Sequence, residues 1–249
     1  MDKALYIAMT GAKHNMLAQT SHANNLANVN TTGFKADMVQ ARSMPVYFGP
    51  GLPTRVYALA ENNATDFRAG PIMATGRELD VAVEGEGFIA VQAEDGLEAY
   101  TRSGALYVDN VGILRSGNGM PVLGSSGGPV ALPPSEKIEI GRDGTITVIA
   151  QGQGPDAPVQ VDRIRLVNPP TETLEKLGAG LMRSRIPGQQ VVADANVTLV
   201  SGHLEGSNVN AVNELTSMLS LARQYEMNVK LMNTAKENSE ASTRMMQMG

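Results

Sequence analysis

Two stretches of the chain have the spacing of catalytic motifs. Gly85-Glu86-Gly87-Phe88-Ile89-Ala90 fits G-x-G-x-x-A, in which glycines let the backbone close on a dinucleotide pyrophosphate at a helix N-terminus. Gly124-Ser125-Ser126-Gly127-Gly128 fits the nucleophile elbow G-x-S-x-G, and Asp194 and His203 follow in the order of a serine hydrolase triad. Each motif works only where a strand turns into a helix. Phe88 to Val91 reads as a strand instead, and Glu86 would put a carboxylate beside the phosphates. Pro129, Pro133 and Pro134 leave no helix after the second motif. The expectation is two turns between strands, no catalytic residue and no cofactor. A secreted β-sandwich serine hydrolase using Ser126, Asp194 and His203 is the alternative from another class.

Metal ligation has no better footing. His14 and His22 are eight residues apart, about 12 Å along one helix, too far to share an ion. His203 stands alone in sequence, so no metal site is expected. Asp80, Glu84 and Glu86 sit in a strand and its turn, which suggests a solvated sheet face. Arg163, Arg165, Arg183 and Arg185 fit a solvated face or an assembly contact equally well.

Composition narrows the classes further. The 249 residues are 42% hydrophobic and 18% charged, with 26 Gly and 13 Pro, a globular balance rich in turns. A net charge of −5 argues against nucleic acid, whose phosphates need a basic surface. Aromatic residues make up 4% and Trp is absent, so no stacking platform for bases or sugars is expected, and no small-molecule substrate. The absence of Cys removes thiol catalysis, Cys-based zinc sites and disulfides together. The apolar run Ala4 to Met9 is short, follows Asp2 and is broken by Thr10, Gly11 and Lys13, so it does not read as a cleaved secretory signal.

The elements that would position any site are helical at both ends and β between. Leu5, Met9, Ala12, Met16, Ala23 and Leu26 recur at alternating steps of four and three, with Gln19 in the missing place, which is a heptad seam. Asn28 to Gly33 closes that helix. At the other end, Ser207 to Asn210 offers helix caps, and Leu215, Met218, Ala222, Tyr225, Val229 and Met232 repeat the spacing. A helix over 211–246 would be about 54 Å long. Between the ends, short apolar runs alternate with turn signals such as Asp95-Gly96, Asp143-Gly144 and Gly117-Asn118-Gly119. Leu79 to Glu84 alternates as a half-buried strand would. The fold class expected is α+β. Residues 1–35 and 206–249 form a discontinuous, coiled-coil-like helical domain, 36–75 an extended connector rich in proline, and 76–205 an all-β domain. Helix seams at both ends need partners, so the twelve seam residues are expected to form an assembly interface.

Asn25, Leu26, Ala27, Asn28, Gly33 and Phe34, within Asn24 to Lys35, resemble the N-terminal signature of flagellar basal-body rod and hook proteins. Leu79 to Phe88 and Tyr100-Thr101-Arg102-Ser103-Gly104 resemble that family's central β motif, and Glu205-Gly206-Ser207-Asn208-Val209-Asn210 its C-terminal signature. The length and the opening Met1 to Tyr6 are closest to the family's proximal-rod branch. Val46 to Tyr57 departs from the distal-rod branch, its main rival. The resemblance implies a torque-transmitting structural subunit, exported through the flagellar type III apparatus without a cleaved signal peptide. Its partners would be proximal and distal rod proteins in a helical hetero-assembly spanning the periplasm. The resemblance also implies that deleting 1–35 or 211–249 leaves a folded β domain but no rod assembly.

Overall fold

The computed structural model describes residues 3–39, 41–45, 56–60, 64–150, 158–186 and 191–247. Its order is an N-terminal helix, a mostly β central region and a C-terminal helix, an α+β arrangement. The chain divides into two compact units. One comprises Met1–Val29, Ala36–Asp66 and Val209–Gly249, the other Asn30–Lys35 and Phe67–Asn208.

In the first unit, helices α1 (Lys3–Ala27) and α2 (Ala211–Gln247) pack antiparallel. Gly11 faces Asn228, and the His22 ring nitrogen Nδ1 pairs with the Glu214 carboxylate. The cap of α2 is Asn210, whose Oδ1 accepts the backbone N–H groups of Val212 at 3.0 Å and Asn213 at 3.2 Å. Glu214 in its first turn and Arg244 in its last complement the helix dipole. The packing face of α1 is built from small residues, with Ala8, Ala12 and Ala18 buried, so the backbones can approach closely. On α2 no residue is fully buried.

The same unit holds two antiparallel strand pairs, Asp37–Met38 with Ala64–Thr65 and Ala41–Pro45 with Val56–Ala60. The proline-rich stretch 36–75 read as an extended connector, yet its described parts include paired strands, while Asp66 to Pro71 is irregular. Pro45 sits at a strand end, where its missing N–H breaks no ladder. Pro50, Pro53 and most of the stretch Val46 to Tyr57 lie outside the described residues.

The second unit is centred on a five-stranded antiparallel sheet. Its order is Leu166–Val167, Phe88–Gln92, Glu98–Thr101, Met182–Ser184 and Leu174–Lys176. Alternation along Phe88–Gln92 sends Ile89 and Val91 into one apolar cluster with Val81, Leu106, Leu114 and Ile146. Phe88 and Ala90 enter a second cluster with Tyr100, Val167, Leu174 and Met182. The sheet is thus covered on both faces, and a three-stranded sheet of Ser135–Ile140, Thr145–Ala150 and Val159–Arg163 adds Ile140, Ile146 and Val148 to the first cluster.

One reading of this unit changes. The strand Val81–Glu84 is not half-buried, since Val81, Ala82 and Val83 are all enclosed and Asp80 with them. It pairs with Thr198–Ser201 along one edge, and the Val81 N–H reaches the Gly104 carbonyl at 3.0 Å along the other. Gly104 has no space for a Cβ, which would meet the Val81 carbonyl. Apolar runs at Pro121 to Leu123 and Val191 to Val197 make only isolated bridges, Val91 with Val122, Leu123 with Pro129 and Val167 with Ala193.

Candidate functional site

The motifs with catalytic spacing are turns. Gly85 to Gly87 joins Val81–Glu84 to Phe88–Gln92, with no helix after it. Gly124 to Gly128 is a hairpin turn in which the Gly124 N–H donates to Gly128 O at 2.8 Å and the Gly127 N–H to Gly124 O at 3.0 Å. Asp194 accepts from its neighbour Asn196 at 2.9 Å, and His203 Nδ1 lies 2.9 Å from Ser201 O. Ser126, Asp194 and His203 therefore each belong to separate local structure, and no hydrogen bond links them among the described residues. Nor do the described residues hold any group of three His, Asp or Glu side chains able to bind a metal ion. Neither α1 nor α2 is long and apolar enough to cross a membrane.

What the second unit does assemble is a buried ion cluster. Glu205 is 1% exposed and Lys35 is 1% exposed, and Lys35 Nζ donates to Glu205 Oε1 at 2.7 Å. Arg102, also buried, donates from Nη1 to Glu205 Oε2 at 2.9 Å. The Gly70 N–H adds a third donor at 3.0 Å. The cations are anchored in turn, Lys35 Nζ on Arg68 O at 2.8 Å and Arg102 Nη2 on Gly85 O at 2.7 Å. Burial works to raise the Glu205 pKa. The Lys35 hydrogen bond, the Gly70 N–H and the charges of Arg102 and Lys35 outweigh it and hold the carboxyl below the usual glutamate value.

Backbone contacts knit the same place together. The Gly33 N–H donates to Glu205 O at 2.8 Å, and Asn208 binds Phe34 O at 3.3 Å through its N–H and Arg68 O at 3.1 Å through Nδ2. Gly33 has a φ of 68°, and a Cβ there would strike the backbone of Arg102 and Ser103. Lys176 Nζ donates to Lys35 O at 2.7 Å and lies 3.8 Å over the Phe34 ring. Three segments far apart in sequence, Asn30–Lys35, Thr101–Gly104 and Glu205–Asn208, thus close on one another.

Among the signature residues, Gly33, Phe34, Ser207 and Asn208 stand at this junction. Asn25 belongs to the first unit, where its buried amide accepts the Asp37 N–H and donates to Asp37 O, both at 2.8 Å. Leu26, Asn28 and Val209 are half-buried and Ala27 is exposed. Lys35, Arg102 and Glu205 each lie inside one of the signature motifs, and nothing in the sequence alone pairs them. The signal was an ionisable residue of each sign in segments otherwise made of small and apolar residues.

The seam residues of the helices divide. Ala12 is buried and Leu5 and Leu26 are half-buried, while Met9, Met16 and Ala23 are exposed, Met9 to 50% and Met16 to 55%. On α2, Met218, Ala222, Val229 and Met232 are half-buried, and Leu215 and Tyr225 are exposed.

Comparison with known proteins follows these boundaries. The flagella basal body rod protein model matches residues 5–35, the flagellar hook protein FlgE/F/G D1 domain model residues 82–148, and the flagellar basal body rod FlgEFG protein C-terminal model residues 200–245. The flagellar basal-body rod protein FlgF of Escherichia coli strain K12 is 36% identical over the whole of both chains. The FlgF of Caulobacter vibrioides is 34% identical, covering 97% of each chain. The basal-body rod protein FlgG of Bacillus subtilis is 30% identical, covering 95% of this chain and 96% of its own. With full-length relatives at this identity and all three signature segments in place, the chain belongs to the flagellar basal-body rod protein family.

Proposed function

We propose that this chain is a structural subunit of the proximal flagellar rod and has no catalytic role. The observation that carries this reading is the full-length likeness to FlgF proteins, higher than that to the FlgG protein of Bacillus subtilis. The apolar residues that α1 and α2 turn outward support an assembling role, because a monomer rarely leaves such faces uncovered. In this reading Leu5, Met9, Ala12, Met16, Ala23 and Leu26 with Leu215, Met218, Ala222, Tyr225, Val229 and Met232 supply the contacts of a coiled-coil-like core. That core is the helical terminal domain. The subunit leaves the cytoplasm through the flagellar type III apparatus with no cleaved signal, joins proximal and distal rod proteins, and carries torque to the hook through stiffness.

Two measurements test this. Labelled protein located along purified basal bodies is expected on the inner part of the rod, whereas label only on its outer part favours the distal-rod reading that the FlgG likeness keeps open. Deleting residues 211–249 is expected to abolish incorporation, and a truncated chain that still enters the rod would overturn the role given to the helices.

A further inference from the structure

A cavity of about 460 Å³ opens on the β unit where the turn Gly85 to Gly87 meets Asn168 to Glu172. That volume is in the range of small-ligand sites. Aromatic residues are scarce in this chain, yet two of its four Phe come together here. The rings of Phe67 and Phe88 stand perpendicular with centroids 6.3 Å apart, and Pro169 and Pro170 continue the apolar wall. Phe67 is only half-buried, so part of its ring is open to the cavity. Arg102 lines the same space, its guanidinium 5.3 Å from the centre of the Phe88 ring. Its Nη1 is spent on Glu205 and its Nη2 on Gly85 O, while its buried Nε has no partner among the described residues. Glu86, Asn168 and Glu172 are exposed at the rim, and their side chains make no hydrogen bond or ion pair among the described residues. Gly85 and Gly87, at φ of 76° and 123°, fix the turn that carries Glu86.

These groups select by charge. An anion meets two free carboxylates at the mouth, and a cation meets the Arg102 guanidinium within. What fits is neutral, with an apolar ring face for Phe67 and the prolines, hydroxyls to donate to Glu86 and Glu172, and one carbonyl oxygen for Arg102 Nε. A pyranose ring bearing an acetamido group has all three. We infer that this cavity binds a neutral glycan of N-acetylhexosamine units, with the acetamido carbonyl accepting from Arg102 Nε and ring hydroxyls donating to Glu86 and Glu172. A proline-rich peptide matches the wall and the carbonyl, but proline has no N–H for the two carboxylates. Binding of this kind is independent of whether the chain enters the rod.

The whole chain, titrated with the trimer of N-acetylglucosamine, is expected to transfer saturation to the acetyl methyl protons of the sugar. By calorimetry the trimer is expected to bind at least tenfold more tightly than cellotriose, which has a hydroxyl in place of each acetamido group. Glu86→Gln and Glu172→Gln are each expected to weaken binding about tenfold while keeping the circular dichroism of the parent. Glu136→Gln, exposed on the strand Ser135–Ile140 and far from the rim in sequence, is expected to leave it unchanged. Equal affinity for cellotriose, or equal weakening by Glu136→Gln, overturns the proposal. Tighter binding of the cationic glucosamine trimer overturns it too, as does tetraproline binding where the acetylated trimer gives no saturation transfer.

Discussion

A carboxylate taken out of water alone would cost several kcal/mol, and Glu205 is nearly sealed from solvent. Lys35, Arg102 and the Gly70 N–H replace its water, and removing the charge strands two cations in the same place. Glu205→Gln is therefore expected to lower stability by roughly 3–5 kcal/mol at neutral pH, measured by urea unfolding of the whole chain. The pH dependence has a definite sign. The folded-state pKa lies below the ordinary value of 4.5, so the unfolded chain takes up the proton first as pH falls. The contribution of this group is complete above pH 4.5 and drains away as pH drops through the lowered folded value. The gap between parent and Glu205→Gln is expected to narrow over that range, and a gap independent of pH would refute the assignment. Nothing local in sequence marks this pairing. Lys35 and Glu205 are 170 residues apart and Arg102 and Glu205 are 103 apart, so each charge was legible and the cluster was not.

At the scale of elements, apolar spacing located both helices to within a few residues, because neither contains proline, α1 stops before Asn28 to Gly33 and α2 starts after the Asn210 cap. The seam was harder. Steps of three and four fit several rows of one helix, and the row read on α1 straddles the boundary between two faces. Its Leu5, Ala12 and Leu26 are buried or half-buried, and its Met9, Met16 and Ala23 are exposed. Small residues decided the contact. Hydrophobic pattern cannot weigh Gly11, Ala8 or Ala18 against methionine, yet they let the backbones approach. A Cβ on Gly11 would already stand 3.3 Å from the Asn228 side chain. Gly11→Leu is accordingly expected to wedge the helices apart and reduce the 222 nm ellipticity. Near-ultraviolet signals from Tyr100, buried in the other unit, should be unchanged. The central strands were legible wherever a turn signal bounded them, and misread where paired strands of the first unit looked like proline-rich linker.

The whole molecule is two units joined by a chain that passes between them at residues 29–30, 35–36, 66–67 and 208–209. One is an enclosed β core. The other leaves much of α2 in water, with every residue from Lys236 to Gln247 exposed. Calorimetry is expected to resolve two transitions, and removing residues 211–249 should abolish one and preserve the other. A single transition lost as a whole would mean the units fold only together. The N-terminal boundary of such a truncation matters, because Gly33, Phe34 and Lys35 belong with the β unit and not with α1. Deletion through residue 29 keeps the ion cluster, and deletion through 35 destroys it. That cluster also sets a schedule. Contacts so distant along the chain form late and slow the search for the native state. A nascent or partly threaded chain that has not yet released Glu205 holds Lys35 and Arg102 without their counter-charge. Completion of the β unit therefore waits for nearly the last fifth of the sequence.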